Sequence, residues 1–136
     1  MTIFIDTNII IDFLAKRELC YETAEMILSM CTEKKIEGYI SAHSILDTLY
    51  ILRKLPLEYR RKKILDLCKI VGVVGDDSEK IINALNNLEF SDIEDCAQFE
   101  CALSVGADFI ITRNIKDFTS STVKPITPED FLNMFQ

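Results

Sequence analysis

Ile3, Phe4 and Ile5 form an unbroken apolar run that stops at Asp6, and the next apolar positions, Ile9, Ile10, Phe13 and Leu14, recur at helical spacing. Consecutive apolar residues suit a strand covered on both faces, so the segment predicts a strand, a turn at Asp6-Thr7-Asn8, and a helix. The same alternation continues. "CYETAEMILSMCTEKK" sets Ala24, Ile27, Leu28 and Cys31 on one face of an amphipathic helix. "GYISA" is a short strand that feeds "HSILDTLYILRK", whose apolar positions Ile45, Leu46, Leu49, Tyr50 and Leu52 predict a helix ended by Pro56. A helix over "LEYRRKKILDLCKI", a strand at "VGVV" and a helix over "DSEKIINALNNL" capped by Asp77 or Ser78 come next. In the acidic segment that follows, Ile93, Ala97, Phe99, Ala102 and Leu103 predict a helix that Gly106 stops, before the buried strand "DFIIT". A weak strand at "VKPI" and a final helix opened by "TPED" close the chain.

Short buried strands separated by helices call for an α/β fold: a parallel central sheet of about four or five strands with helices on both faces. Residues 1–136 carry no repeat, low-complexity tract or linker and are expected to form one domain. In such a sheet ligands gather at the carboxyl ends of the strands. Asp6 and the "TRNIKDF" segment both follow strands directly and share that edge. Asp47 and Asp95, on helices next to predicted strands, are placed to reach it.

Composition narrows the chemistry. Five cysteines, odd in number and without a CxxC pair, read as reduced, small hydrophobic residues. His43 is the single histidine, which disfavours Cys/His zinc sites and histidine-based triads. No apolar run is long enough to span a bilayer, and the start lacks a basic, cleavable leader, so no membrane association and a cytoplasmic location are expected.

Taken singly, each acid has an ordinary explanation. Asp6 and Asp92 suit helix caps, Asp95 a first helical turn, Asp47 a solvated helix face, and Asp12 an exposed position one turn beyond Asp6. Their order along the chain makes a different case. "FIDTNIIIDFL", "DCAQFECALSVGADFIITRNIKDF" and "ITPEDFL" together resemble a PIN domain, most closely the small bacterial members similar to VapC toxins. The resemblance spans essentially the whole chain. It implies a parallel sheet flanked by helices, with an acidic cluster that binds Mg²⁺ or Mn²⁺ and cuts RNA. Asp6 matches the acid ending the first strand, and Asp95 matches the acid of the Asp-Ala helix by its distance to Ala102-Leu103. Asp47 stands where the family usually has glutamate. The fourth position falls to Asn114 or Asp117. The implied partners are an RNA substrate and an antitoxin protein, and a homodimer is expected.

The cluster's chemistry follows without the family. Converging carboxylates repel one another unless a cation neutralises them, and hard oxygen ligands select magnesium or manganese. Asp6 and Asp95 are assigned as primary metal ligands, with Asp117 assisting and Asp47 orienting the attacking water. Thr112 and Asn114 would bind phosphate or hold carboxylates in place. The net charge of −7, from 22 acids against 15 bases, is the wrong sign for a non-specific nucleic-acid binder. Basic residues are concentrated, however, from Arg53 to Lys69, and Arg60, Arg61, Lys62 and Lys63 are the candidate RNA track, weighed against a solvated helix face. Two rivals remain. One is a PIN-like domain with a degraded site that binds RNA or protein without cutting. The other is a receiver domain, for which the chain lacks the paired acids and late lysine.

Overall fold

The computed structural model describes residues 1–136. Five parallel strands form one sheet: β1 (Thr2–Ile5), β2 (Glu37–Ser41), β3 (Gly72–Val74), β4 (Phe109–Ile111) and β5 (Lys124–Ile126), in the order β3-β2-β1-β4-β5. Seven helices connect and cover them: α1 (Thr7–Leu14), α2 (Tyr21–Thr32), α3 (Ala42–Ile51), α4 (Leu57–Cys68), α5 (Ser78–Asn86), α6 (Ile93–Ser104) and α7 (Pro128–Asn133). A 3-10 turn spans Ile115–Phe118. The chain steps outward from β1 to β2 and β3, then crosses back to place β4 on the other side of β1. The β1/β4 junction is therefore the point where strand order reverses, and a crevice opens there at the carboxyl edge.

The unbroken apolar run of β1 is explained by its central position. Ile3 and Ile5 enter the larger core, packed with Ile9 and Leu14 of α1, Ile27 of α2 and Phe131 of α7. Phe4 points the other way, into a smaller core with Ala84 of α5, Phe99 and Ala102 of α6, and Ile110 of β4. Both faces are covered, as a parallel sheet requires. The expected stops and caps are also present. At the end of α6, Gly106 has φ +64°, and the Gly106 and Ala107 N–H groups donate to Leu103 and Ala102 carbonyls at 3.1 and 3.0 Å. That is a Schellman closure, which favours glycine at the left-handed position. Asp77, Asp92 and Thr127 each accept a hydrogen bond from a backbone N–H inside the helix they precede.

Three expectations fail. α3 buries only part of its apolar stripe: Ile45, Leu49 and Leu52 pack on the larger core, but Leu46 and Tyr50 are each 68% exposed, while Ser44 and Thr48 face inward. The physical reason is close packing on α1, where the Thr7 and Ser44 hydroxyls meet at 2.6 Å and small polar side chains let the helices approach. Likewise Ile93 and Leu103 of α6 are exposed, because the helix is turned to bury Cys96, Gln98 and Cys101. Pro56 does not end α3, which stops at Ile51; it occupies the cap position of α4. Asp12 is the third miss. It is 1% exposed and held by Arg113, whose Nε and Nη2 donate to its two carboxylate oxygens at 2.8 and 3.1 Å. Arg17 adds a longer contact at 3.5 Å. The bidentate guanidinium satisfies both oxygens of this buried side chain.

Candidate active site

Asp6 sits at the helix-cap position of α1, yet its side chain makes no capping bond. Instead the Thr112 hydroxyl donates to Oδ2 at 2.8 Å and Gln98 Nε2 donates to Oδ1 at 3.0 Å. The backbone aids this placement, since Asp6 N–H donates to the Ile111 carbonyl, joining the ends of β1 and β4. Each carboxylate oxygen keeps a second lone pair, so an oriented acid with acceptor capacity to spare faces the crevice. Burial pushes the Asp6 carboxyl above its usual range, and the Thr112 and Gln98 hydrogen bonds offset part of that rise.

Around Asp6 lies an open crevice of about 280 Å³, lined also by Thr7, Asn8, Asp47, Tyr50, Ile51, Glu94, Asp95 and Gln98. A larger cavity of about 590 Å³ opens at the opposite edge, beside Met1, Glu37 and Gly72 at the amino ends of the strands. It holds a single acid, so the smaller crevice is the candidate site on chemical grounds. Asp95, in the first turn of α6, has its pKa raised to about 7 by burial first and then by the charges of Asp92, Asp117 and Asp6. Asp117 projects from the 3-10 turn after β4, exposed but close enough to act on both Asp6 and Asp95.

Asp47 lines the same crevice from α3 and lies within hydrogen-bond reach of Glu94. A hydrogen bond with Asp47, burial and the Asp47 charge raise Glu94 to about 7. Glu94 and Asp95, both raised by burial and by the carboxylates around them, describe a site with excess negative charge. Hard oxygen donors in that state fit Mg²⁺ or Mn²⁺.

A family profile described as PIN domain matches residues 2–116. The chain belongs to the PIN domain family. Comparison with curated proteins gives no match. Among solved structures, the Mycobacterium tuberculosis toxin VapC20, which cleaves the sarcin-ricin loop, superposes with TM-score 0.71 at 17% identity, covering 93% of this chain and 99% of that one. A Klebsiella pneumoniae toxin-antitoxin complex gives TM-score 0.70 at 19% identity, covering 92% and 96%. Rickettsia felis VapBC2 bound to a promoter DNA fragment gives 0.68 at 18%, covering 93% and 98%. At such identities the likeness speaks for the fold.

Within this PIN domain the remaining sequence candidates take distinct places. Thr112 is fully buried and spends its hydroxyl on Asp6, and it accepts the Asn114 N–H at 3.0 Å. Asn114 is half-buried in the turn after β4. Arg60 is engaged by the fold: Nε donates to the Leu55 carbonyl at 3.0 Å and Nη1 to the Leu49 carbonyl at 2.8 Å, closing the end of α3. Arg61 is exposed, Lys62 pairs with Asp66 at 3.1 Å, and Lys63 lies over the Tyr59 ring. Arg53 is the basic residue tied to the crevice rim, its guanidinium 4.4 Å from the centre of the Tyr50 ring.

Sequence reasoning left three participants out of its assignment. Gln98 lies three residues after Asp95, which sets the two on one helix face. That spacing was a usable signal, hidden by the apolar residues around it. Glu94 adjoins Asp95 and gave no separate signal. His43 was set aside for being the single histidine.

Proposed function

We propose that this PIN domain is a metal-dependent endoribonuclease and the toxin of a toxin-antitoxin pair. The observation that carries the proposal is the convergence of Asp6, Asp95 and Asp117 at the strand-order switch, with Asp6 oriented by Thr112 and Gln98 rather than spent as a cap. Asp6 and Asp95 would hold Mg²⁺ or Mn²⁺, with Asp117 assisting. The bound cation supplies a more acidic water and stabilises charge on the scissile phosphate. The protein's own groups do the rest. Thr112 and Gln98 keep the Asp6 carboxylate from rotating, so its free lone pairs stay aimed at the crevice. Asp47, which lines the crevice from α3, would orient the attacking water. Asn114 positions phosphate beside Asp117.

The substrate is RNA with an accessible single strand. Tyr50 offers an exposed aromatic face at the rim, backed by Arg53, and a base stacked on it would leave the adjoining phosphate over the acids. Arg61, Lys62 and Lys63 extend a positive path along α4, where Arg60 serves the fold. Structural neighbours that are toxin-antitoxin complexes support an antitoxin partner by analogy. The exposed Leu46, Ile51, Leu57 and Leu65 on α3 and α4 give such a partner an apolar face, and the exposed Ile82, Leu85 and Leu88 give one to a second copy in a homodimer. No helix is long and apolar enough to cross a membrane, in keeping with action in the cytoplasm.

The test is end-labelled single-stranded RNA incubated with the protein in Mg²⁺ or Mn²⁺, in EDTA, and with Asp6→Asn. Internal cleavage that requires metal and Asp6 is expected. RNA retention without cleavage in any metal would favour the degraded, binding-only alternative.

A further inference from the structure

His43 stands in the first turn of α3 and is clamped by Asp76, from the loop before α5. Its backbone N–H donates to Asp76 Oδ2 at 3.1 Å, and its ring Nδ1 lies 2.8 Å from Oδ1. A ring nitrogen this close to a carboxylate is the donor in that contact, which leaves Nε2 as the nitrogen free to bind a cation. That nitrogen points at acids. Nε2 is 4.0 Å from Glu94 Oε1, and ligand atoms of His43, Asp47 and Glu94 all lie within 4.8 Å of one another. The other neighbour of Nε2 is the Ser41 hydroxyl, at a long 3.4 Å, which also has the Ser44 hydroxyl at 2.7 Å as an alternative partner.

We propose that His43 Nε2, Asp47 and Glu94 form a second cation site, selective for zinc-class ions, beside the oxygen-only position of Asp6, Asp95 and Asp117. The two positions differ in chemistry. Mg²⁺ favours oxygen ligands and keeps its waters, whereas one imidazole with two carboxylates and an open fourth position suits Zn²⁺. Asp76 lies outside the ligand set and does what a carboxylate behind a metal-bound histidine does: it fixes the tautomer and ring orientation and raises the basicity of the other nitrogen. Three separate segments are needed to build this arrangement, α3, α6 and the loop before α5.

The site does not depend on RNA cleavage, and its test is a binding measurement on the full, untagged chain. Zinc chloride is titrated into metal-free protein by calorimetry, with excess Mg²⁺ present and with cysteines kept reduced. Cobalt absorption is recorded in parallel to separate nitrogen and oxygen ligation from thiolate ligation. The expected result is one zinc per chain, cobalt without thiolate charge-transfer bands, and a large shift of the single imidazole ¹⁵N signal from Nε2. Glu94→Gln, on an exposed side chain that the fold tolerates, should weaken zinc by ~10-fold or more, and Asp76→Asn by about the same through the ring. Mg²⁺ binding should be unchanged in Asp76→Asn. Equal zinc affinity in wild type and Glu94→Gln overturns the proposal, as does thiolate-type cobalt absorption or an imidazole protonated on both nitrogens in the presence of zinc. Loss of RNA cleavage with zinc uptake intact would count against the nuclease proposal alone.

Discussion

Without metal, Asp95 works against the fold at neutral pH, and Asp95→Asn should make the metal-free protein more stable. The Asp95 carboxyl is raised to about 7, from an ordinary value of 3.8, by burial and by Asp92, Asp117 and Asp6. A carboxyl raised in the folded state binds its proton more tightly there than in the unfolded chain. Its stabilising effect is therefore full below about pH 4, is lost as pH rises from 4 to 7, and is absent above 7. For a fully buried group that shift corresponds to about 4 kcal/mol. Asp95 is half-buried, and solvent screening leaves about 1–2 kcal/mol. For a chain of this length, that is a rise in Tm of roughly 3–7 °C. Thermal melts of wild type and Asp95→Asn in EDTA should coincide near pH 4 and separate at pH 8, with the variant higher. Mn²⁺ at 100 times its Kd should then add about 2.7 kcal/mol to wild type and much less to the variant. A variant less stable than wild type at pH 8 would refute the assignment of Asp95 to a repelling acidic cluster.

Four further outcomes follow from the same geometry. Asp12→Ala leaves the partly buried Arg113 without its bidentate partner and should lower stability by about 2–4 kcal/mol, read from the urea midpoint; an unchanged midpoint would mean the pair is dispensable. Asp47→Glu should preserve or increase RNA cleavage and Asp47→Ala should reduce it; undiminished cleavage in the Ala variant would remove Asp47 from the site. Arg60→Ala should cost about 1–2 kcal/mol by freeing two carbonyls. Arg61→Ala with Lys62→Ala should instead leave stability unchanged and flatten the log affinity against log salt slope for single-stranded RNA by about 0.7 per lost contact. An unchanged slope would move the RNA path away from α4.

The parts of this molecule legible in the sequence are those whose causes are local. Three consecutive apolar residues in β1 require cover on both faces, Gly106 suits the left-handed turn that ends α6, and Thr127 before Pro128 has one obvious role. The position of Asp6 at the end of a central strand was legible for the same reason. Helix rotation was not. α3 carries more apolar than polar residues on its spaced positions, yet Ser44 faces inward because hydroxyls from Thr7 and Ser41 meet it there, and Thr48 is buried one turn further on with no partner for its hydroxyl. Those partners lie on other elements, beyond the reach of periodicity. Asp12 was misplaced in the same way: its partner, Arg113, is 101 residues distant in sequence. Gln98 and His43 gained meaning only when α6 and the loop before α5 were brought against β1 and α3.

The most direct test of the central claim is anomalous scattering from crystals grown metal-free and soaked in Mn²⁺. The geometry predicts a manganese peak in direct contact with carboxylate oxygens of Asp6 and Asp95 and near Asp117, lost in Asp6→Asn. Manganese bound elsewhere while the Asp6 and Asp95 crevice stays without density would contradict it.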